Sequence, residues 1–263
     1  MEQGDVAKAK ALYDTLCRVD HLTVHERGIV LFGLGACFLV EEDYDSASSH
    51  LKESWELLFS ALGAKDPYTI HAMVLLSRSL IANGNIDSGM EIGRSALQNL
   101  IELYGPDAEQ TATASFFLSA GAFHLGHLAE AENLTVQAMD AWKKNYGPDS
   151  LQVATCLDAL GKLREICGEK RPGLDFYRQA LEIKLKVLGD HEITAVLLGH
   201  VGIRAADAGA WDEAVALLER SLACFQRLGT GKNAKALAFY RKKLTICQQI
   251  LIEKENTAHE PAH

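Results

Sequence analysis

Proline and aromatic side chains are scarce in this chain, with 5 prolines and 7% Phe, Trp and Tyr, which argues against a sandwich or barrel and for helices joined by short turns. A basic surplus is also missing. The formal charge of -9 repels phosphate backbones and anionic lipid, and no Lys/Arg cluster interrupts it, so nucleic acid and membrane surfaces are not expected partners. No apolar run approaches the ~20 residues that cross a bilayer. The opening Met-Glu-Gln-Gly-Asp lacks a basic and then apolar leader. A cytoplasmic location is therefore expected, with an organellar protein stripped of its presequence as the alternative. The six cysteines (Cys17, Cys37, Cys156, Cys167, Cys224, Cys247) form no C-x-x-C pair and have no His companion at zinc-site spacing, so reduced core residues are expected and no metal or other cofactor. Cys156 and Cys167 are read as core packing for the same reason.

What the chain does have is a repeat. Gly63, Gly105, Gly147 and Gly189 stand 42 residues apart, each after Leu or Tyr, and Leu228-Gly229 follows 40 residues later. Gly84, Gly126 and Gly168 form a second 42-residue series, preceded in register by Glu42 and followed by Gly209. A small residue stands five positions after each of these marks (Ala47, Gly89, Ala131, Gly173, Ala214) and another seven further on (Ser54, Ala96, Ala138, Ala180, Ser221). Seven positions before the mark come Gly35, Ser77, Ser119, Gly161 and Gly202. Small residues at fixed helical positions let two axes approach closely. Residues 22-229 therefore predict five helix-turn-helix units, at 22-63, 64-105, 106-147, 148-189 and 190-229, each with a first helix of roughly 18 residues and a second of roughly 17. Gly105-Pro106-Asp107 and Gly147-Pro148-Asp149 are expected to end one helix and cap the next. Residues 1-21 read as a half-repeat helix, 230-254 as a capping helix with a Leu237, Tyr240, Leu244, Cys247, Leu251 stripe, and 255-263 as a disordered tail.

In these columns the sequence resembles the tetratricopeptide repeats, and its 42-residue period and Ala180-to-His191 segment resemble the long variety of kinesin light chains. The resemblance implies an all-α fold, a right-handed α-solenoid whose first helices line a concave groove that takes a partner's peptide or helix. Kinesin light chains carry an Asn pair in the first helix, where this chain has Phe32/Gly33, Val74/Leu75, Phe116/Phe117, Asp158/Ala159 and Gly199/His200. It also has no heptad segment.

Carried over by position, the candidate groove residues are Phe32, Leu39, His71, Val74, Arg78, Phe116, Phe123, His124, Asp158, Lys162 and Glu165. The first three units supply apolar side chains and the fourth supplies charges, which suits a docked amphipathic helix whose register the charged end sets. The aromatics could equally be core, and the charges could equally be solvated surface. Catalysis is not expected. No nucleophile, carboxylate pair or metal cluster recurs, His191 falls in a link where its repeat equivalents are Lys65, Asp107 and Asp149, and Gly229-Thr230-Gly231-Lys232 lacks phosphate-loop spacing. The expected function is a non-enzymatic scaffold or adaptor for a protein or peptide. The alternatives are a peptide-responsive regulator and an assembly factor or structural subunit of a larger complex, with self-association possible.

Overall fold

A computed structural model describes residues 3-189, 191-229 and 234-258, and all the described secondary structure is helical. The chain divides into two compact units, the first running to Asn145 and the second beginning at Tyr146. The first contains α1 (Gln3–Leu16), α2 (Val24–Val40), α3 (Tyr44–Leu62), α4 (Pro67–Ala82), α5 (Ile86–Tyr104), α6 (Glu109–His124) and α7 (Leu128–Tyr146). The second contains α8 (Leu151–Ile166), α9 (Lys170–Leu188), α10 (Glu192–Asp207), α11 (Trp211–Leu228) and α12 (Ala234–Ala258). The expected helix lengths are reversed. First helices have 16 or 17 residues, as α2 and α4 show, and second helices have 18 or 19, as α3 and α11 show. Helix α12 continues to Ala258, so the first residues assigned to a tail are helical, while 259-263 and the Gly229-to-Lys232 segment beyond Gly229 lie outside the described residues.

Local chemistry fixes where the helices start. Thr23 and Glu26 cap α2 reciprocally: Glu26 N–H donates to Thr23 Oγ1 at 3.2 Å, and Thr23 N–H donates to Glu26 Oε2 at 2.8 Å. Asp43 accepts from Ser46 N–H at 3.1 Å ahead of α3, and Asp66 accepts from Tyr68 N–H at 2.9 Å ahead of α4, where Pro67 takes the first helical position. His191 begins α10, with Ile193 N–H donating to its Nδ1 at 3.2 Å.

Glycine ends the second helices as expected, but the aspartates of the Gly-Pro-Asp links do not cap the next helix. Ala108 stands at the α6 cap position without a side-chain bond, and Ser150 caps α8. Asp107 instead pairs with Lys144 at 2.6 Å, and Asp149 pairs with Lys186, one period later. In the preceding period Lys65 and Glu102 occupy the same two columns with the charges exchanged, 2.9 Å apart. Opposite charge at this pair of columns recurs three times while the order of the signs does not. All three pairs are solvent-exposed, so water and salt screen them and they contribute little to stability.

The small-residue columns lie where first and second helices meet. Ala47, Ala96, Ala138, Ala180 and Ala214 are fully buried. The two serines of the later column, Ser54 and Ser221, are buried as well and each bonds back to the first helix of its pair: Ser54 Oγ donates to Gly28 O at 2.7 Å and Ser221 Oγ to Ala195 O at 2.6 Å. Apolar residues fill the space beside them. In the first unit Leu39, Ala47, Leu51 and Leu76 form one cluster, and Ile70, Met73, Val74, Ala96, Leu100 and Ala114 another. In the second unit Leu174, Tyr177, Leu198, Leu218, Phe225, Tyr240 and Cys247 belong to one larger core, onto which Leu237 and Leu244 pack. Burying each such side chain contributes roughly 1.5–3 kcal/mol before chain entropy is subtracted. Cys37, Cys156, Cys224 and Cys247 are core residues, but Cys17 is half-buried and Cys167 is exposed, because Cys167 is the residue on which α8 ends.

Every turn mark has positive φ. Gly84, Gly126, Gly168 and Gly209 lie at φ 75 to 86°, and Glu42 at φ 59° is the only such non-glycine among the described residues. The 42-residue register thus places a glutamate in a left-handed turn that its four counterparts make with glycine.

Candidate partner-binding groove

In the first unit, the first helices α2, α4 and α6 lie side by side, so columns 42 residues apart face the same way. Phe32, His71, Val74, Leu75, Glu109, Gln110 and Thr113 line one depression of about 270 Å³ on this face. Phe32 and His71 are half-buried, and Val74, 7% exposed, forms part of its floor. Burial holds the His71 imidazole below its ordinary pKa, with Asp66 acting weakly in the opposite sense, which favours the neutral ring.

Arg78 lies one turn beyond Val74 with its guanidinium 4.8 Å from the centre of the Phe117 ring. Phe116 packs against Trp142, ring centres 5.5 Å apart, and Phe123 meets His124 edge-on at 5.9 Å. The structure therefore brings Phe32, His71 and Val74 together and sets Arg78 on the same helix, while Phe116 and Phe123 are partly engaged by neighbouring rings. Leu39 is a correction. It is 3% exposed and packs with Leu51 and Leu76, because its column has turned from the face of α2 toward α3 and α4. Sequence reasoning missed Glu109 and Gln110. Both lie one turn before Thr113, which stands one 42-residue period after the candidate His71, so the helical period contained that signal.

In the second unit, the corresponding face of α8 is occupied by its own neighbours. Asp158 pairs with Lys184 of α9. Glu165 accepts from the Tyr177 hydroxyl at 3.0 Å and lies 3.5 Å from Arg204 Nε. The Arg204 guanidinium sits 4.4 Å from the centre of the Tyr177 ring, and burial, more than any neighbour, pushes the Tyr177 phenol up to about 12. Lys162 is exposed. On α10 the face is covered. A Cβ on Gly199 would lie 2.4 Å from the Tyr240 ring, and Tyr240 is 1% exposed. The first unit has a related contact at its start, where Tyr13 of α1 covers Gly33 at 2.3 Å from a would-be Cβ. Among the described residues no group of His, Cys, Asp and Glu is placed to hold a metal ion, and no helix is long and apolar enough to cross a membrane.

Comparison with known proteins agrees with this architecture. Residues 120–186 and 194–228 match models of the tetratricopeptide repeat. Among solved structures, BtubC (BKLC) from P. vanneervenii aligns over 87% of this chain and 91% of its own, at 19% identity and TM-score 0.68. A Podosopora anserina putative kinesin light chain with nearly identical TPR-like repeats aligns over 80% of this chain and 99% of its own, at 16% identity and TM-score 0.67. A Rap protein complexed with competence and sporulation factor aligns over 96% of this chain and 72% of its own, at 13% identity and TM-score 0.62. At these identities the likeness shows the fold, an α-solenoid of tandem helical hairpins. A search of curated protein sequences found no match.

Proposed function

We propose that this tetratricopeptide-repeat protein is a non-enzymatic scaffold that docks an amphipathic helix or short peptide of a protein partner on the α2, α4 and α6 face of its first unit. The observation that carries this reading is the depression formed by Phe32, His71, Val74 and Thr113 and bordered by Glu109 and Gln110, with Arg78 one turn beyond Val74 on the same helix. An apolar floor with a few polar groups on its margin suits one anchoring side chain and a fixed orientation. That a Rap protein of similar fold was solved with competence and sporulation factor bound supports the idea that such a hairpin array can hold a ligand. Asp158 and Glu165, which sequence alone suggested as orienting charges, are held by Lys184, Tyr177 and Arg204. Lys162, exposed on α8 of the second unit, serves as the comparison position.

The test is affinity capture with quantitative mass spectrometry, using the wild-type chain, Arg78→Glu combined with Thr113→Glu, and Lys162→Glu. Thr113 and Arg78 are both half-buried and neither belongs to the buried core, so unchanged helicity is the check that both substitutions leave it intact. Partners captured by the wild type should be depleted at least about tenfold by the double variant, as expected when an anchor pocket gains two like charges. They should be depleted less by Lys162→Glu. Unchanged capture by the double variant, with unchanged helicity, would remove the reading.

A further inference from the structure

A second cavity of the first unit lies between α3 and α5 and shares only α4 with the groove. It measures about 600 Å³ and is walled by α3 (Ser48, Ser49, Lys52, Trp55) and α5 (Ser88, Glu91, Ile92, Ser95), with Met73, Leu76 and Leu80 of α4 as its floor. That volume falls within the range of small-molecule pockets, roughly 300–1,000 Å³, and its lining follows their pattern of apolar floor and polar margin. We propose that it is a binding site for an amphipathic carboxylate, an apolar chain or ring bearing one acid group.

The repeat register identifies the recognition group. Lys52 stands one period before Arg94 and three before Arg178, and each of those arginines bridges to a glutamate on the next second helix: Arg94 to Glu130 at 2.7 Å, and Arg178 to Glu213, whose Oε1 accepts from Nε at 2.7 Å. The residue one period before Glu130 is Ser88. The cation column therefore continues into α3 while the carboxylate column stops, and Lys52 has no ion pair among the described residues. The Trp55 ring, also in the lining, adds apolar surface for the tail of such a ligand. Glu91 on the opposite wall repels an anion, which confines the acid group to the Lys52 side. Ser49, Ser88 and Ser95 supply further hydroxyl donors, and the apolar tail lies on Met73, Leu76 and Ile92.

Isothermal titration of the full chain with decanoate, decyltrimethylammonium and decanol tests this directly. Decanoate should bind saturably, decanol at least about tenfold more weakly and the ammonium more weakly still, since only the acid makes a charge-assisted hydrogen bond to Lys52. Ser88→Glu restores the missing carboxylate at an exposed position in the first turn of α5, where an acidic group also suits the helix end. It should leave the melting temperature unchanged or higher and abolish decanoate binding, and Lys52→Gln should remove the preference for the acid. The proposal is overturned if the three probes bind alike, if decanoate shows no saturable heat, or if both variants bind decanoate as the wild type does. Should Ser88→Glu fail to fold, Lys52→Gln alone decides. The groove variant Arg78→Glu should leave decanoate binding unaffected.

Discussion

The two units use one packing code and treat their first-helix faces in opposite ways. In the first, α4 carries Arg78 against an aromatic ring at the surface, and the space between Phe32, Val74 and Thr113 stays open. In the second, Arg204 makes a similar ring contact to Tyr177 but also faces Glu165, Asp158 is held by Lys184, and Tyr240 seals Gly199. A helical hairpin array can thus leave its first-helix columns open or engage them with its own chain. The difference lies in whether a second-helix or terminal side chain is long enough to reach back.

The sharpest way to break the contrast is Tyr240→Ala. The ring is 1% exposed, its hydroxyl donates to Val196 O at 3.3 Å, and Gly199 leaves no side chain to refill the space. A cost of about 3–5 kcal/mol is expected. Hydrogen exchange should show protection lost in α10 to α12 and kept in α2 to α6. Equal loss in both units would mean that the units do not respond separately. Next comes Arg204→Ala, which strips Glu165 of its cation and uncovers the Tyr177 ring. It should cost about 1–2 kcal/mol in denaturant titration, whereas Arg78→Ala should cost about 0.5–1 kcal/mol and act chiefly on partner binding.

A pH titration sharpens the comparison further, with a smaller effect because His71 is only half-buried and His200 is exposed. Burial depresses both imidazoles, helped at His200 by Arg204 and opposed at His71 by Asp66. A depressed pKa means the unfolded chain takes up the proton first. Stability is therefore full above the ordinary imidazole value, about 6.5, falls as pH drops through it, and levels off below the folded value. His71→Asn should flatten this slope in the first unit and leave the second unit's contribution in place. A slope unchanged in His71→Asn would show that the ring makes no contribution.

The architecture was legible because its signals are local and periodic. Glycine every 42 residues and buried small columns leave little choice of fold, and Ala47, Ala96, Ala138, Ala180 and Ala214 lie where their spacing put them. The face was legible only in part. Phe32 and Val74 share a column and His71 lies one turn before Val74, so periodicity finds all three, but the column of Leu39 turns into the core. Asp158 reads as a free charge until Lys184 is seen 26 residues away, the same first-to-second-helix separation that joins Gly28 to Ser54. The links misled for a related reason. Asp107 and Asp149 resemble caps in sequence, yet each has a lysine 37 residues on that competes for the carboxylate.

Glu42 gives the smallest expected effect and the most specific one. Four turn marks are glycines at positive φ, and the fifth turns the same way on a residue with a Cβ. A left-handed conformation costs an ordinary residue roughly 1–2 kcal/mol, and the extra freedom glycine has when unfolded returns about 0.5–1 kcal/mol of that. Glu42→Gly should therefore stabilise the first unit by about 0.5–1 kcal/mol and raise its melting temperature by about 1–4 °C. Glu42→Ala separates strain from charge: it keeps the Cβ and should leave stability near the wild-type value. If Glu42→Ala stabilises as much as glycine does, the glutamate's charge is the liability and the backbone is not. If Glu42→Gly destabilises, the side chain makes a contact that outweighs the turn, and the first unit departs from the repeat for a reason of its own.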